Sequence, residues 1–249
     1  MNLTTILSDV YGNVSPETVL PIKVAGKEAL ADITAAYEQF LDPGVRQKMY
    51  GFHKPSHRGL FHPLDASTRI LEEVYTKSPW TTHDIDSFLF SLITFQNEKS
   101  FYLTGAFISA LVNIHHKDTH QKKYILPVEH LEIPFEYMCC GNSGADILVN
   151  GNCGENFGQD MISGTIICNG SVGNRVGSGL KSGTILIEKD TKGGIGAKMT
   201  DGCIRIKGRI VGYTAEDILA IEPFHFYEPY LQEVLGGEIY HGSRRVFPK

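Results

Sequence analysis

The 249-residue sequence has no apolar run long enough to cross a bilayer. Its longest, Phe101 to Ile114, is broken by Thr104, Ser109 and Asn113 and reads as a buried helix. Positive charge is also scarce. Lysine and arginine total 23 against 28 acidic residues, a net charge of −5, and no basic stripe gathers in any segment. That balance argues against nucleic acid and against an anionic membrane surface as partners. Cysteine is sparse: five residues, an odd number, with no pair at metal-ligand spacing and with Cys139 and Cys140 adjacent, a poor arrangement for a mutual disulfide. Such usage is that of a reduced, cytoplasmic protein, with Cys168 a small core residue. The opening residues MNLTTILSDVYGNVSPE lack the basic segment of a secretory signal.

Catalytic signatures are missing too. No stretch has the Gly-x4-Gly-Lys-Ser/Thr of a phosphate-binding loop. GNRVGSG holds a fragment of a dinucleotide fingerprint, but no helix-forming run follows it. Gly-x-Ser-x-Gly is absent, and no Ser-His-Asp order can be read. Asp84 and Asp86, and Glu72 and Glu73, read as helix-start or surface charges rather than an acid/base pair. No cofactor is implied.

Glycine, in contrast, is abundant and periodic. Slid against itself by 19, the sequence places Gly151 on Gly170 and Gly154 on Gly173. Gly158 falls on Gly177 and Gly196, and Gly164 on Gly183 and Gly202. Apolar columns recur in phase: Ile147, Ile166, Ile185, Ile204; Val149, Cys168, Ile187, Ile206; Met161, Leu180, Met199, Ile218. A fixed repeat near 20 residues, with β-branched runs and no helical span, predicts a β-solenoid. The isoleucines stack inward, and these ten glycines are structural, placed where the chain needs positive φ or where stacked backbones approach closely. A calcium-binding solenoid would need an aspartate in each repeat, and Asp146 and Asp160 do not recur. A left-handed hexapeptide helix would show a six-residue subperiod, and the sub-spacings here are uneven.

The units GNCGENFGQDMISGTIICNGSVGNRVGSGLKSGTILIE resemble the GXGXG repeat. That repeat forms the C-terminal domain of the glutamate synthase large subunit. It also forms one of the subunits of formylmethanofuran dehydrogenase and of related formyl-transfer complexes. The resemblance covers about residues 145–210 and implies a right-handed parallel β-helix. It also implies a scaffold beside catalytic domains, with no catalytic residues of its own. Lys189 and Lys192 depart from the pattern by replacing corner glycines, and the fourth unit fades after Gly208. Three full coils and a partial one are expected.

The fold class expected is α+β. Residues 1–140 form a mostly helical domain with an extended lead-in, 141–215 the β-helix with 19-residue coils, and 216–249 an aromatic C-terminal capping tail. Gly26 to Phe40 reads as an amphipathic helix stopped at Asp42-Pro43-Gly44. Ser67 or Asp65 caps a second, running through Tyr75. Thr81-x-x-Asp84 is a capping box opening a third, with Ile85, Phe88, Leu89, Leu92 and Ile93 on its apolar face. The segment KKYILPVEHLEIPFEYMCC, broken by Pro127 and Pro134, pairs with or caps the first coil.

Chemistry-bearing residues gather before the solenoid. His53, His57 and His62 lie within ten residues, but Pro55, Gly59 and Pro63 make that stretch a loop, where metal-ligand spacing loses its force. His115, His116 and His120 follow the apolar helix, and solvated helix-end histidines are the expected reading. Lys181, Lys189, Lys192 and Lys198 form a solvated edge. Two functions of different class remain open. One is a non-catalytic scaffold docking onto another protein subunit or onto itself. The other is a ligand- or metal-binding enzyme with a pocket between helices and solenoid, lined by Arg46, His53, His57, Arg58, His62 and the 115–120 cluster.

Overall fold

A computed structural model describes residues 27–42, 44–45, 63–211 and 234–247. Four α-helices among them precede the sheet: α1 (Lys27–Leu41), α2 (Pro63–Lys77), α3 (Thr82–Ser91) and α4 (Thr104–Thr119). No helix among the described residues is long and apolar enough to cross a membrane.

Helix α1 buries Ala29, Ile33, Ala36, Tyr37 and Phe40, one face at helical spacing, and ends where Asp42 accepts the backbone N–H of Gly44 at 2.6 Å. Helix α2 starts earlier than the cap expected at Ser67 or Asp65. Pro63 opens it, since a first-turn N–H needs no helical partner. Ser67 lies inside the helix, buried, and donates to the Pro63 carbonyl at 3.0 Å. The capping box of α3 forms as expected: Thr81 N–H donates to Asp84 Oδ2 at 2.8 Å, and Asp84 N–H to Thr81 Oγ1 at 3.3 Å. Its apolar face differs at one position. Ile85, Phe88, Leu89 and Leu92 are buried, but Ile93 is 55% exposed, because a 3-10 turn over Leu92–Phe95 changes the helical phase there. Tyr37 gathers the ring cluster, meeting Phe88, Phe95 and Phe107 with centroids 5.1–5.2 Å away, and hydrogen-bonds Thr104.

Seven strands follow in one sheet whose spatial order is the chain order: β1 (Lys123–Pro127), β2 (Ser143–Asn150), β3 (Ser163–Cys168), β4 (Thr184–Ile187), β5 (Cys203–Ile206), β6 (Glu238–His241) and β7 (Arg244–Phe247). All neighbours pair in parallel except β6 and β7. A second ladder runs Phe135, Cys153, Val172, Thr191, Ile210 through four parallel bridges. The result is a β-solenoid of about four turns behind a helical layer, a mixed α+β fold.

The expected columns are in register. Ile147, Ile166, Ile185 and Ile204 stack, as do Val149, Cys168, Ile187 and Ile206. Both continue beyond the 19-residue repeat. Tyr124 and Leu126 precede them on β1, and Ile239 and His241 follow on β6. Strand β1 belongs to the lead-in, which therefore pairs with the first coil. Met161, Leu180 and Met199 form the third buried column, and Ile218 lies outside the described residues.

A third side is knitted by residues with positive φ at alternate positions: Asn156, Gly158 and Asp160; then Arg175, Gly177 and Gly179; then Gly194, Gly196 and Lys198. Their N–H groups reach alternately to the next and the previous coil, as Asn156 does to Asn174 O and Gly158 to Met138 O, both at 2.9 Å. In these three coils the middle position is glycine for two reasons, although one coil earlier Cys139 holds the same angle, φ +60°. The glycine φ is +62 to +67°, and a Cβ at Gly158 or Gly177 would stand 2.5 or 2.6 Å from the Cδ1 of Ile166 or Ile204. The outer column needs only the backbone angle, so Asp160 and Lys198 are accommodated there.

Helix α4 closes the near end of the solenoid. Two of the polar residues interrupting its apolar run face the first coil: Asn113 Nδ2 donates to Cys140 O at 2.9 Å, and the Ser109 hydroxyl, shared with Gly105 O at 2.7 Å in its own helix, to Tyr137 O at 2.9 Å. One core cluster runs from Ala29 on α1 to Val246 on β7.

Candidate functional site

The site candidates lie where the helical layer meets the first coil. β1 has a coil on one side only, and its side chains alternate: Tyr124 and Leu126 inward, Lys123 and Ile125 outward. Helix α3 lies against it. Between them is a cavity of about 320 Å³, lined by Thr82, Ile85, Asp86 and Phe90 from α3, by Gln121, and by Lys123 through Pro127. The Asp86 carboxyl is pushed above the usual range by burial, with His83 opposing the shift. Asp86 is thus half-buried in a groove rather than a plain surface charge. Asp84 is buried in its capping box, and its second oxygen, Oδ1, has no hydrogen-bond partner among the described residues.

The rim of this groove carries exposed apolar surface. Phe90 is 59% and Ile125 45% exposed, and the Phe90 ring stacks on His130 with centroids 5.5 Å apart. Ile93 and Ile133 add to it from the adjoining turn and loop, which Gln96 joins by accepting the Glu132 N–H at 3.2 Å.

Three of the histidines singled out in the sequence, His53, His57 and His62, lie outside the described residues, as do Arg46 and Arg58. The others stand at the end of α4 but do not converge. His115 and His116 are 5% and 8% exposed, not solvated, because β1 and the first coil pack over the helix end. His115 Nδ1 and the Tyr124 hydroxyl are 2.8 Å apart, and burial lowers the His115 pKa. His116 Nδ1 bonds the Gln121 carbonyl at 2.6 Å. His120 ends the helix in a left-handed conformation, φ +56°. Nearby, the Tyr75 hydroxyl donates to Asp118 Oδ2 at 2.9 Å. Burial first, and this carboxylate second, push the phenol up to about 12. Among the described residues no group of three or more His, Cys, Asp or Glu side chains is placed to hold a metal ion. The groove itself is lined by Gln121 but not by His115, His116 or His120.

The remaining charged features run along the solenoid. Glu188 and Lys207 pair at 2.7 Å and Asp190 and Arg209 at 2.8 Å, each pair joining equivalent positions of successive coils. Lys181, Lys189, Lys192 and Lys198 are exposed, a solvated edge.

The groove escaped detection in the sequence because its walls come from segments some 40 residues apart. The available signal was the outward alternation of Lys123 and Ile125 on a strand of the lead-in.

Compared with known proteins, the chain matches no family model, and no curated protein or solved structure is significantly similar to it.

Proposed function

We propose that the chain is a non-catalytic scaffold, a subunit whose solenoid holds a rigid surface against a second protein. The observation that carries this reading is the exposed apolar surface of Phe90, Ile93 and Ile125, mounted on the α3–β1 junction beside a continuously packed core. Single exposed apolar residues are ordinary, but several on adjoining elements beside a groove suit a protein interface. The partner is another subunit or a second copy of this chain. The glycine repeat supports an assembly of the oxidoreductase or formyl-transfer kind, as in the GXGXG proteins, and the free cysteines support a cytoplasmic setting.

A second reading, a small-molecule site, is favoured by one feature. The groove lies between helices and solenoid, has the volume of a small ligand pocket, and holds a half-buried carboxyl at Asp86.

The test is purification of the tagged chain from its source at native expression, with mass spectrometry and light scattering. The expected result is stoichiometric recovery of a second subunit, or a homo-oligomer, that is lost in a Phe90→Ser/Ile125→Ser variant. A monomer recovered alone would overturn the scaffold reading and turn attention to the groove.

A further inference from the structure

The two walls of the α3–β1 groove differ in kind. From α3 come Thr82, Ile85, Asp86 and Phe90, one face of a helix. From the other side come all five residues of β1, both the inward Tyr124 and Leu126 and the outward Lys123, Ile125 and Pro127. Residues of both faces line one groove only where it follows the backbone edge of the strand, here over about 16 Å.

The direction of the peptide groups at this edge follows from the ladder. Lys122 O accepts the Asp146 N–H at 2.6 Å, and the Val128 N–H donates to Asn150 O at 2.8 Å. Peptide groups alternate along a strand, so those of Tyr124 and Leu126 also turn to β2, and those of Lys123, Ile125 and Pro127 turn to the groove. Lys123 O accordingly accepts from Gln121 Nε2 at 3.0 Å, outside the ladder. Pro127 has no N–H to offer. Between these two, the N–H and C=O of Ile125 have no hydrogen-bond partner among the described residues, and the residue is 45% exposed. The edge is blunted toward both ends and open in the middle, which suits a short added segment rather than a long sheet.

Charge adds the chemistry of the occupant. Asp86, half-buried on the facing wall, makes no hydrogen bond or ion pair among the described residues, although Lys123 lines the same groove. A carboxyl group partly withdrawn from water is stabilised as its anion by a nearby cation. Phe90, Ile125 and Pro127 offer apolar contacts beside it.

We propose that β1 receives an extended segment of a partner protein as an added strand. The segment exchanges hydrogen bonds with Ile125, sets apolar side chains against Phe90 and Ile125, and places a lysine or arginine beside Asp86. The proposal rests on the scaffold reading and names what the partner presents. A second copy of this chain would have to bring its own α3 into the same groove together with its β1, so a free segment is the better occupant.

The test is selection of phage-displayed random heptapeptides on the full chain, then NMR of the isotope-labelled chain with an enriched peptide. The expected result is enrichment of peptides that alternate apolar residues and carry a lysine or arginine, with saturable protection of the Ile125 amide from hydrogen exchange. Ile125→Pro removes the edge donor and is expected to weaken binding at least tenfold. Ile125→Ala keeps that N–H and weakens it less, and Asp86→Asn weakens it severalfold. Proline is tolerated where a strand's N–H is not used by its neighbour, and the rest of the spectrum verifies the fold. Equal binding to Ile125→Pro and the parent, or an Ile125 amide that stays unprotected in the complex, would overturn strand addition. So would a library that yields no binder, or binders that are acidic. A dimer of the chain alone that Ile125→Pro dissociates would also overturn it, assigning the edge to a second copy. In each of these cases a partner or homo-oligomer lost in Phe90→Ser/Ile125→Ser would still uphold the scaffold.

Discussion

The Ser109 hydroxyl lies 2.9 Å from the carbonyl oxygen of Tyr137 and 3.2 Å from the backbone nitrogen of Cys140. One side chain on helix α4 thus serves an acceptor and a donor of the first coil, which has no preceding coil to do so. An open solenoid end leaves backbone groups unpaired and invites edge-to-edge association. Here helix α4 covers that end, and Ser109 and Asn113, which interrupt its apolar run, stand where the coil needs partners. Ser109→Ala leaves the buried Cys140 N–H and the partly buried Tyr137 carbonyl without this partner, and the expected loss is about 1–3 kcal/mol, measured by chemical denaturation. Thr94, an exposed residue whose hydroxyl bonds only its own helix turn, is the control, with Thr94→Ala expected to change stability by under about 0.5 kcal/mol.

The two positive-φ columns separate backbone strain from lack of space. Gly177→Ala must adopt φ +62° and push Ile204 Cδ1 from 2.6 Å, so a loss well above the roughly 1–2 kcal/mol of the left-handed conformation alone is expected. Lys198→Gly occupies the same kind of angle at an exposed site, and its stability should stay within about 1 kcal/mol of the parent. Thermal unfolding of the two variants side by side checks the contrast. Equal effects would mean that the glycines serve the backbone angle only.

Tyr75 and Asp118 predict an alkaline pH dependence. The folded phenol is raised to about 12 from an ordinary value near 10, so the unfolded chain loses this proton first. The stability it contributes is whole below about pH 10 and is lost as pH rises toward about 12. Asp118→Asn removes the charged acceptor and should bring the Tyr75 titration down, part of the way toward its ordinary value, as read by phenolate absorbance against a Tyr75→Phe blank. A titration unmoved by Asp118→Asn would assign the whole shift to burial.

The five cysteines are free, and four of them are buried. Burial pushes the thiols of Cys139, Cys140 and Cys153 up, so none of these offers a ready thiolate. Cys203, half-buried on β5, is expected to react first with a thiol reagent in the native protein, and the others only on unfolding. Peptide mapping after timed alkylation decides it. Rapid native labelling of Cys153 or Cys168, whose sulfurs lie 3.8 Å apart, would show that the coil opens readily.

The repeat could be read from the chain because a solenoid makes each coil solve the same packing problem. Isoleucine at one position of every coil, and glycine where Ile166 or Ile204 fills the space beside it, mark the period in the sequence itself. The capping box at Thr81 and Asp84 was legible for a similar reason, since its partners lie three residues apart. By itself the sequence determined the coil length, the inward columns and the helices that stand before them.

What it did not determine depends on groups that meet across long separations. The depth of His115 and His116 comes from β1 and the first coil closing over the end of α4. The exposure of Ile93 comes from a local change of helical pitch. Strand β6 rejoins the ladder although its sequence has lost the repeat, because Ile239 can still extend the isoleucine column. Only tertiary structure decides such sites, since each residue in them is ordinary until the fold removes its water and supplies its neighbours.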